Sequence, residues 1–81
     1  MLLAYTDRFR RSHARAPESV RRAFAKQARH LQHDLRHPSL RAKKYDAARD
    51  IWQARVDRSW RFYFVIRGDT LLLLDIIAHP K

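Results

Sequence analysis

Apolar residues recur at helical spacing through the first half of the chain and at every second position through the later part, and the change falls at His37-Pro38-Ser39. Leu2-Leu3-Ala4-Tyr5 is a short apolar run that reads as a first strand, and Thr6 or Asp7 after it can cap a helix. That helix runs to about Ala14, with Phe9 and His13 four apart on one face. Pro17 stands where the next helix starts, and Glu18 follows it near the positive end of the macrodipole. Val20, Phe24, Ala28, Leu31 and Leu35 then trace one face of an amphipathic helix of roughly 18 residues. Arg21, Arg22, Lys26 and Arg29 lie mostly off that stripe. The residue before a proline is steered out of the helical region, so His37-Pro38 ends the helix.

Beyond Pro38 the segment Leu40–Tyr45 can be a strand, and Asp46 to Arg49 a loop. In Ile51 to Val56, residues Trp52, Ala54 and Val56 share one face, while Gln53 and Arg55 share the other. In Trp60 to Arg67, the apolar face is Trp60, Phe62, Phe64 and Ile66, opposite Arg61, Tyr63 and Arg67. Asp57-Arg58-Ser59 joins the two as a hairpin. Matching the apolar faces sets Val56 against Trp60, which puts Arg55 directly opposite Arg61 and Gln53 opposite Tyr63. The last strand has two registers after the Gly68-Asp69 turn. A two-residue loop turns Leu71, Leu73, Asp75 and Ile77 inward and buries a carboxylate. A three-residue loop through Thr70 turns Leu72, Leu74, Ile76 and Ala78 inward and leaves Asp75 and His79 beside Arg55, Arg61 and Tyr63; it is preferred because it buries no unpaired charge. The order predicted is β-α-α-β-β-β, an α+β fold with two N-terminal helices packed on a small, mainly antiparallel sheet, with Leu40–Tyr45 able to add a further strand.

The chain has 81 residues and no cysteine, which confines it to a single domain over residues 1–81, held by its apolar core alone. Disulfides, thiolate nucleophiles and cysteine-containing zinc sites are excluded. A hydrophobic content of 46% argues against intrinsic disorder. The opening residues do not read as a signal segment, and the apolar run from Leu71 is far short of the ~20 residues of a membrane helix, so a cytoplasmic protein with no membrane partner is expected.

The net charge is +10, from 18 Lys and Arg against 8 Asp and Glu. Residues 1–40 hold 9 basic and 3 acidic side chains (+6) and residues 41–81 hold 9 and 5 (+4), so the excess is spread over the fold. That density costs stability through self-repulsion and points to a polyanionic partner, nucleic acid or an acidic protein; a general compositional bias toward Arg is the alternative for its excess over Lys. The opposed Arg55 and Arg61 repel unless an anion lies between them, where bidentate hydrogen bonds turn the cost into binding. Two arginines splayed into water are the alternative. His79 emerges at the end of the last strand on the side of Arg61. Arg41, Lys43 and Lys44 form a basic run that either tracks phosphates or protects a sheet edge. Tyr63 is the aromatic on the polar face, placed to stack on a base. His30, His33 and His37 share a helix face but lack a carboxylate at fixed spacing, so they read as a solvated polar face, and no metal or other cofactor is expected.

The ordered set His37-Pro-Ser-Leu-Arg-Ala-Lys-Lys-Tyr45, Ile51-Trp-Gln-Ala-Arg-Val56, Trp60-Arg-Phe-Tyr-Phe64, Gly68-Asp-Thr-Leu-Leu-Leu-Leu-Asp-Ile-Ile77 and His79 resembles the RelE/ParE superfamily of bacterial toxins over essentially the whole chain. The resemblance implies the toxin of a type II toxin–antitoxin system. Members of the ribosome-dependent branch are mRNA interferases, endoribonucleases that cut mRNA in the ribosomal A site, inhibit translation, and are neutralised by an acidic antitoxin in a hetero-oligomer. It also implies that Arg55, Arg61 and His79 act on the scissile phosphate and the attacking 2′-hydroxyl. Arg41, Lys43, Lys44, Arg58 and Tyr63 would contact RNA. Two departures are Gln53, where many relatives have Glu, and Pro80-Lys81, where many continue with Asp or His and an aromatic. They leave Lys43, Lys44, Asp75 or no residue as the second proton-transfer partner. The alternatives are a non-enzymatic gyrase inhibitor on the same fold, as in the ParE branch, and a degenerate RNA- or ribosome-binding module.

Overall fold

One hydroxyl group ends the first strand and starts the first helix. Thr6 Oγ1 accepts from the Phe9 amide at 3.1 Å, the N-cap arrangement the sequence calls for. The computed structural model describes residues 1–79, with β1 (Leu2–Tyr5), α1 (Asp7–Arg15), α2 (Glu18–His33), a 3-10 turn (Pro38–Leu40), β2 (Lys43–Asp46), β3 (Ile51–Arg55), β4 (Trp60–Arg67) and β5 (Thr70–Ala78). The Pro80-Lys81 departure lies outside the described residues. Four strands, rather than three, follow the helices. They make a five-stranded sheet in the order β1-β5-β4-β3-β2, antiparallel except for β1 against β5.

Both helices lie on one face of this sheet. Phe9, Val20, Phe24, Ala28 and Leu31 meet Ala54, Val56, Phe62, Phe64, Leu71, Leu73 and Ile76 in one core. The Phe24 ring sits edge-on to Phe62 at 5.2 Å, the arrangement in which a positive ring edge meets a negative ring face. Helix α2 stops at His33, before Leu35 and well before Pro38. The cause is Asp34, whose carboxylate accepts from the Arg36 amide at 2.9 Å and so offers the backbone a partner the helix cannot match. Leu35 still packs against the core from outside the helix. Leu40, read as the start of a strand, instead sits in the 3-10 turn with its side chain fully buried.

The β3–β4 register follows the sequence reading residue by residue, with Arg55 paired to Arg61 and Gln53 to Tyr63. Strand β5 does not. Arg67 pairs with Thr70, so the turn is the two-residue one, and Leu71 and Leu73 are buried rather than Leu72 and Leu74. The register then shifts: Phe64 faces Leu73 but Tyr63 faces Asp75, which leaves Leu74 as the extra residue of a bulge. After the bulge the parity reverses, so Ile76 is buried while Asp75 and His79 lie on the opposite face. Each of the two readings is therefore right for one half of the strand. Thr6 also holds the bulge, its hydroxyl reaching the carbonyls of Leu73 and Leu74 at 3.0 and 3.1 Å. Ile66, expected in the core, is 38% exposed, because it lies two residues from the Gly68 turn and past the packed cluster. No helix among the described residues is long and apolar enough to cross a membrane.

Candidate functional site

Alternation along β3 and β4 sends Gln53, Arg55, Arg61 and Tyr63 to the sheet face that the helices leave open. The reversed parity of β5 brings His79 to the same face. There Arg41, Lys43, Arg55, Arg61 and His79 line one cavity of about 270 Å³. Each arrives by a different local device. Arg41 follows the 3-10 turn with φ at 45°, a left-handed conformation that costs a non-glycine residue about 1–2 kcal/mol and swings the chain into β2. Lys43 pairs with Gln53 and so shares its face. The backbone amide of His79 donates to the Ser59 carbonyl at 2.6 Å, which ties the end of β5 to the β3–β4 hairpin.

Arg61 is the most buried of the five, at 9% exposure. Its Nη1 donates to the carbonyls of Asp57 and Trp60 at 2.8 and 2.9 Å, and more loosely to that of Arg58 at 3.4 Å. These bonds hold one edge of the guanidinium against the hairpin, and carbonyl dipoles leave its net charge in place. The four ion pairs found among the described residues involve Arg8, Arg22, Lys44 and Arg49, none of them in this cavity. Partial burial, and then the charges of Arg41, Arg61 and Arg58, hold the Arg55 guanidinium below its ordinary pKa. The cavity is thus strongly cationic, lined among the described residues without a carboxylate, and suited chemically to a phosphate-like dianion.

The remaining expected site residues are distributed around it. Arg58 is exposed in the hairpin loop beside the cavity and adds to its charge. Lys44 points elsewhere: it pairs with Trp52 on the other face, lies 5.3 Å from the Trp52 ring centre, and forms a 2.6 Å ion pair with Asp50. Tyr63 and Asp75 line a neighbouring cavity on the same open face. Of the three candidates for a second proton-transfer group, Lys43 is the one in the basic cavity. Among the described residues no group of three metal-binding side chains converges, and His30 and His37 instead stack ring on ring at 3.7 Å.

Gln27 was not singled out from sequence. It is buried on the inner stripe of α2, where its Nε2 donates to the carbonyls of Ser39 and Arg55, both at 3.0 Å, and its Oε1 accepts from the Ser39 hydroxyl. One amide thereby ties the turn that leads to Arg41 to the strand that carries Arg55. Its signal was a polar residue three after Phe24 on an apolar stripe. Gln53 is also buried, with its Nε2 donating to the Tyr63 hydroxyl at 3.0 Å.

Two helices on one sheet face and a cationic cavity on the other define the class of this molecule, a small α+β domain built on one mixed sheet. The chain has the fold of the RelE/ParE toxins. It superposes on a YoeB/ParE toxin from Agrobacterium tumefaciens with a TM-score of 0.81 at 14% identity, covering 99% of this chain and 100% of the other. YafQ from E. coli strain BL21(DE3) gives 0.79 at 12% identity over 95% and 91% of the two chains. The intact E. coli RelBE toxin–antitoxin complex gives 0.74 at 11% identity over 99% and 98%. No protein-family profile and no curated protein matches the sequence.

Proposed function

We propose that this chain is the toxin of a type II toxin–antitoxin pair and that it cleaves mRNA on the ribosome. The observation that carries the reading is the meeting of Arg41, Lys43, Arg55, Arg61 and His79 in one cavity. Such a lining neutralises a dianionic phosphorane through guanidinium groups. In the proposed reaction the 2′-oxygen bonds to phosphorus, the bond from phosphorus to the 5′-oxygen breaks, and the products are a 2′,3′-cyclic phosphate and a free 5′-hydroxyl. Arg61, held by the hairpin carbonyls, and Arg55 stabilise the charge that develops on the phosphoryl oxygens. His79 takes the proton released by the 2′-hydroxyl, and Lys43, as an ammonium, gives one to the departing 5′-oxygen. Chemistry of this kind in so small a domain relies on the ribosome to present the mRNA in position.

The partner that restrains the toxin is an acidic antitoxin. The charge of +10 and the solved toxin–antitoxin complexes of RelE from E. coli and Methanococcus jannaschii support that choice. Induced expression followed by mapping of mRNA 5′ ends tests the reading. Cuts phased with codons are expected, and Arg61→Ala or His79→Ala should reduce them by about a hundredfold or more while the protein stays folded. Growth arrest with DNA damage and no phased cuts would instead identify a gyrase inhibitor.

A further inference from the structure

The last turn of α2 and the 3-10 turn that follows it meet through two imidazole rings. His30 and His37 stack with centroids 3.7 Å apart and planes 14° from parallel. Together with Lys26, Gln27, Ser39 and Val56 they line a cavity of about 340 Å³. His37 also caps the 3-10 turn, since its Nδ1 accepts from the Ser39 amide at 3.2 Å. That bond requires an unprotonated Nδ1, so it holds His37 as the neutral ring. Ser39 is held in turn by Gln27, which donates to the carbonyls of Ser39 and Arg55. Two residues further on the chain reaches Arg41, which lines the basic cavity with φ at 45°. The stack thus stands at the head of a chain of contacts that ends among the arginines of the cavity.

The side chains around the pair are mostly basic. On α2 they are Lys26, Arg29 and His33, and Arg36 and Arg41 share a further cavity with His37. From the hairpin side the pair's cavity receives the apolar Val56. Between Lys26 and Arg41 the only carboxylate is Asp34, and its Oδ1 is taken by the Arg36 amide. Partial burial, and then the charges of His37, Lys26, Arg29 and His33, hold the His30 imidazole below its ordinary pKa. Protonating both rings sets two cations face to face among other basic groups, and turns Nδ1 of His37 into a donor against the donating Ser39 amide.

We propose that the stack of His30 on His37 is a proton-operated latch on the basic cavity. Neutral, it holds the turn that brings Arg41 beside Arg55; protonated in mild acid, it releases that turn and anion affinity falls. The latch rests on the reading of the cavity as an anion site. Arg41 sits in a left-handed conformation against its own backbone preference, so a loosened turn gives it up readily. Direct electrostatics has the opposite sign, because positive charge added near an anion site strengthens binding. The sign of the pH dependence therefore separates the two effects.

The test uses sulfate, whose charge is constant over the range, and the His79→Gln chain, which removes the imidazole of the cavity itself. Sulfate affinity, followed by NMR at about 0.15 M salt, should fall about fivefold from about pH 7.5 to about pH 5.5. His30→Phe combined with His37→Asn keeps a ring and an acceptor for the Ser39 amide but takes no proton, and should abolish the fall. Linkage gives a second readout that needs neither substitution: saturating sulfate should lower the pKa of His30, whereas direct attraction would raise it. Affinity that holds or rises in acid, a fall that persists without the two imidazoles, or a His30 pKa raised by sulfate would each overturn the latch. No sulfate binding at either pH would overturn it together with the anion site. Sulfate binding with the expected pH dependence but no phased mRNA cuts would support the latch and refute the endonuclease alone.

Discussion

The two faces of the β3–β4 hairpin share every backbone atom and one register, yet they are built to opposite ends. On the helix side Ala54 faces Phe62 and Trp52 faces Phe64, and both phenylalanines are fully buried. On the open side Arg55 faces Arg61, a like-charged pair directly across the two strands. Magnitudes show why this holds together. Direct opposition of like charges costs about 0.2–1 kcal/mol, whereas full burial of one phenylalanine contributes about 1.5–3 kcal/mol. A single residue of the inner face outweighs the repulsion of the outer one. Stability is concentrated on one side of the strands, which frees the other to hold charge that an anion can use.

The comparison is broken most severely by Phe62→Ala. The cavity left between Phe24 and Phe64 should cost about 3–5 kcal/mol, a large share of the stability of a small domain, and remove anion binding with the fold. Urea denaturation measures it; a loss below about 1 kcal/mol would contradict the placing of stability on this face. Gln27→Ala links the two sides. It removes two part-buried hydrogen bonds, to the carbonyls of Ser39 and Arg55, and should cost about 1–3 kcal/mol. Phosphate affinity should also fall in the protein that remains folded, because the segments carrying Arg41 and Arg55 are no longer tied together. Unchanged phosphate binding by the folded fraction would reduce Gln27 to a packing residue. The smallest effect has the opposite sign. Arg55→Gln relieves the facing charges and should raise stability by about 0.2–1 kcal/mol at low salt, a gain that fades as screening increases, while phosphate binding drops. A loss of stability in this variant would show that the two guanidinium groups do not strain the fold.

The parts legible in the sequence are those governed by short-range geometry. Thr6 is one of the two caps the sequence offers, the stripe from Val20 to Leu31 announces its helix, and the three residues Asp57 to Ser59 set a register that carries Arg55 to Arg61 without error. The facing arginines of the basic cavity were readable for the same reason, since Arg55 and Arg61 follow from strand parity, whereas His79 reaches that face through the β5 bulge. Lys44 was not, because a basic run does not reveal which of two adjacent lysines faces the site, and pairing with β3 sends Lys43 to one side and Lys44 to the other. The end of α2 also escaped, because a local Asp34 side chain ended it before the proline could.

Strand β5 shows most sharply where sequence stops. The run Leu71-Leu72-Leu73-Leu74-Asp75-Ile76-Ile77 satisfies either parity, so period-two reasoning has no basis for choosing. The choice is made by Thr6, distant in sequence, whose hydroxyl holds the Leu73 and Leu74 carbonyls at the bulge and lets both parities coexist in one strand. Sequence alone determined the helices, the hairpin register and the positions of the paired arginines, because each depends on neighbours a few residues apart. Tertiary structure decided the β5 bulge, the arrival of Arg8 beside Asp75 and the tyrosine cavity next to the basic one, because each requires groups that meet only when the chain ends come together across the sheet.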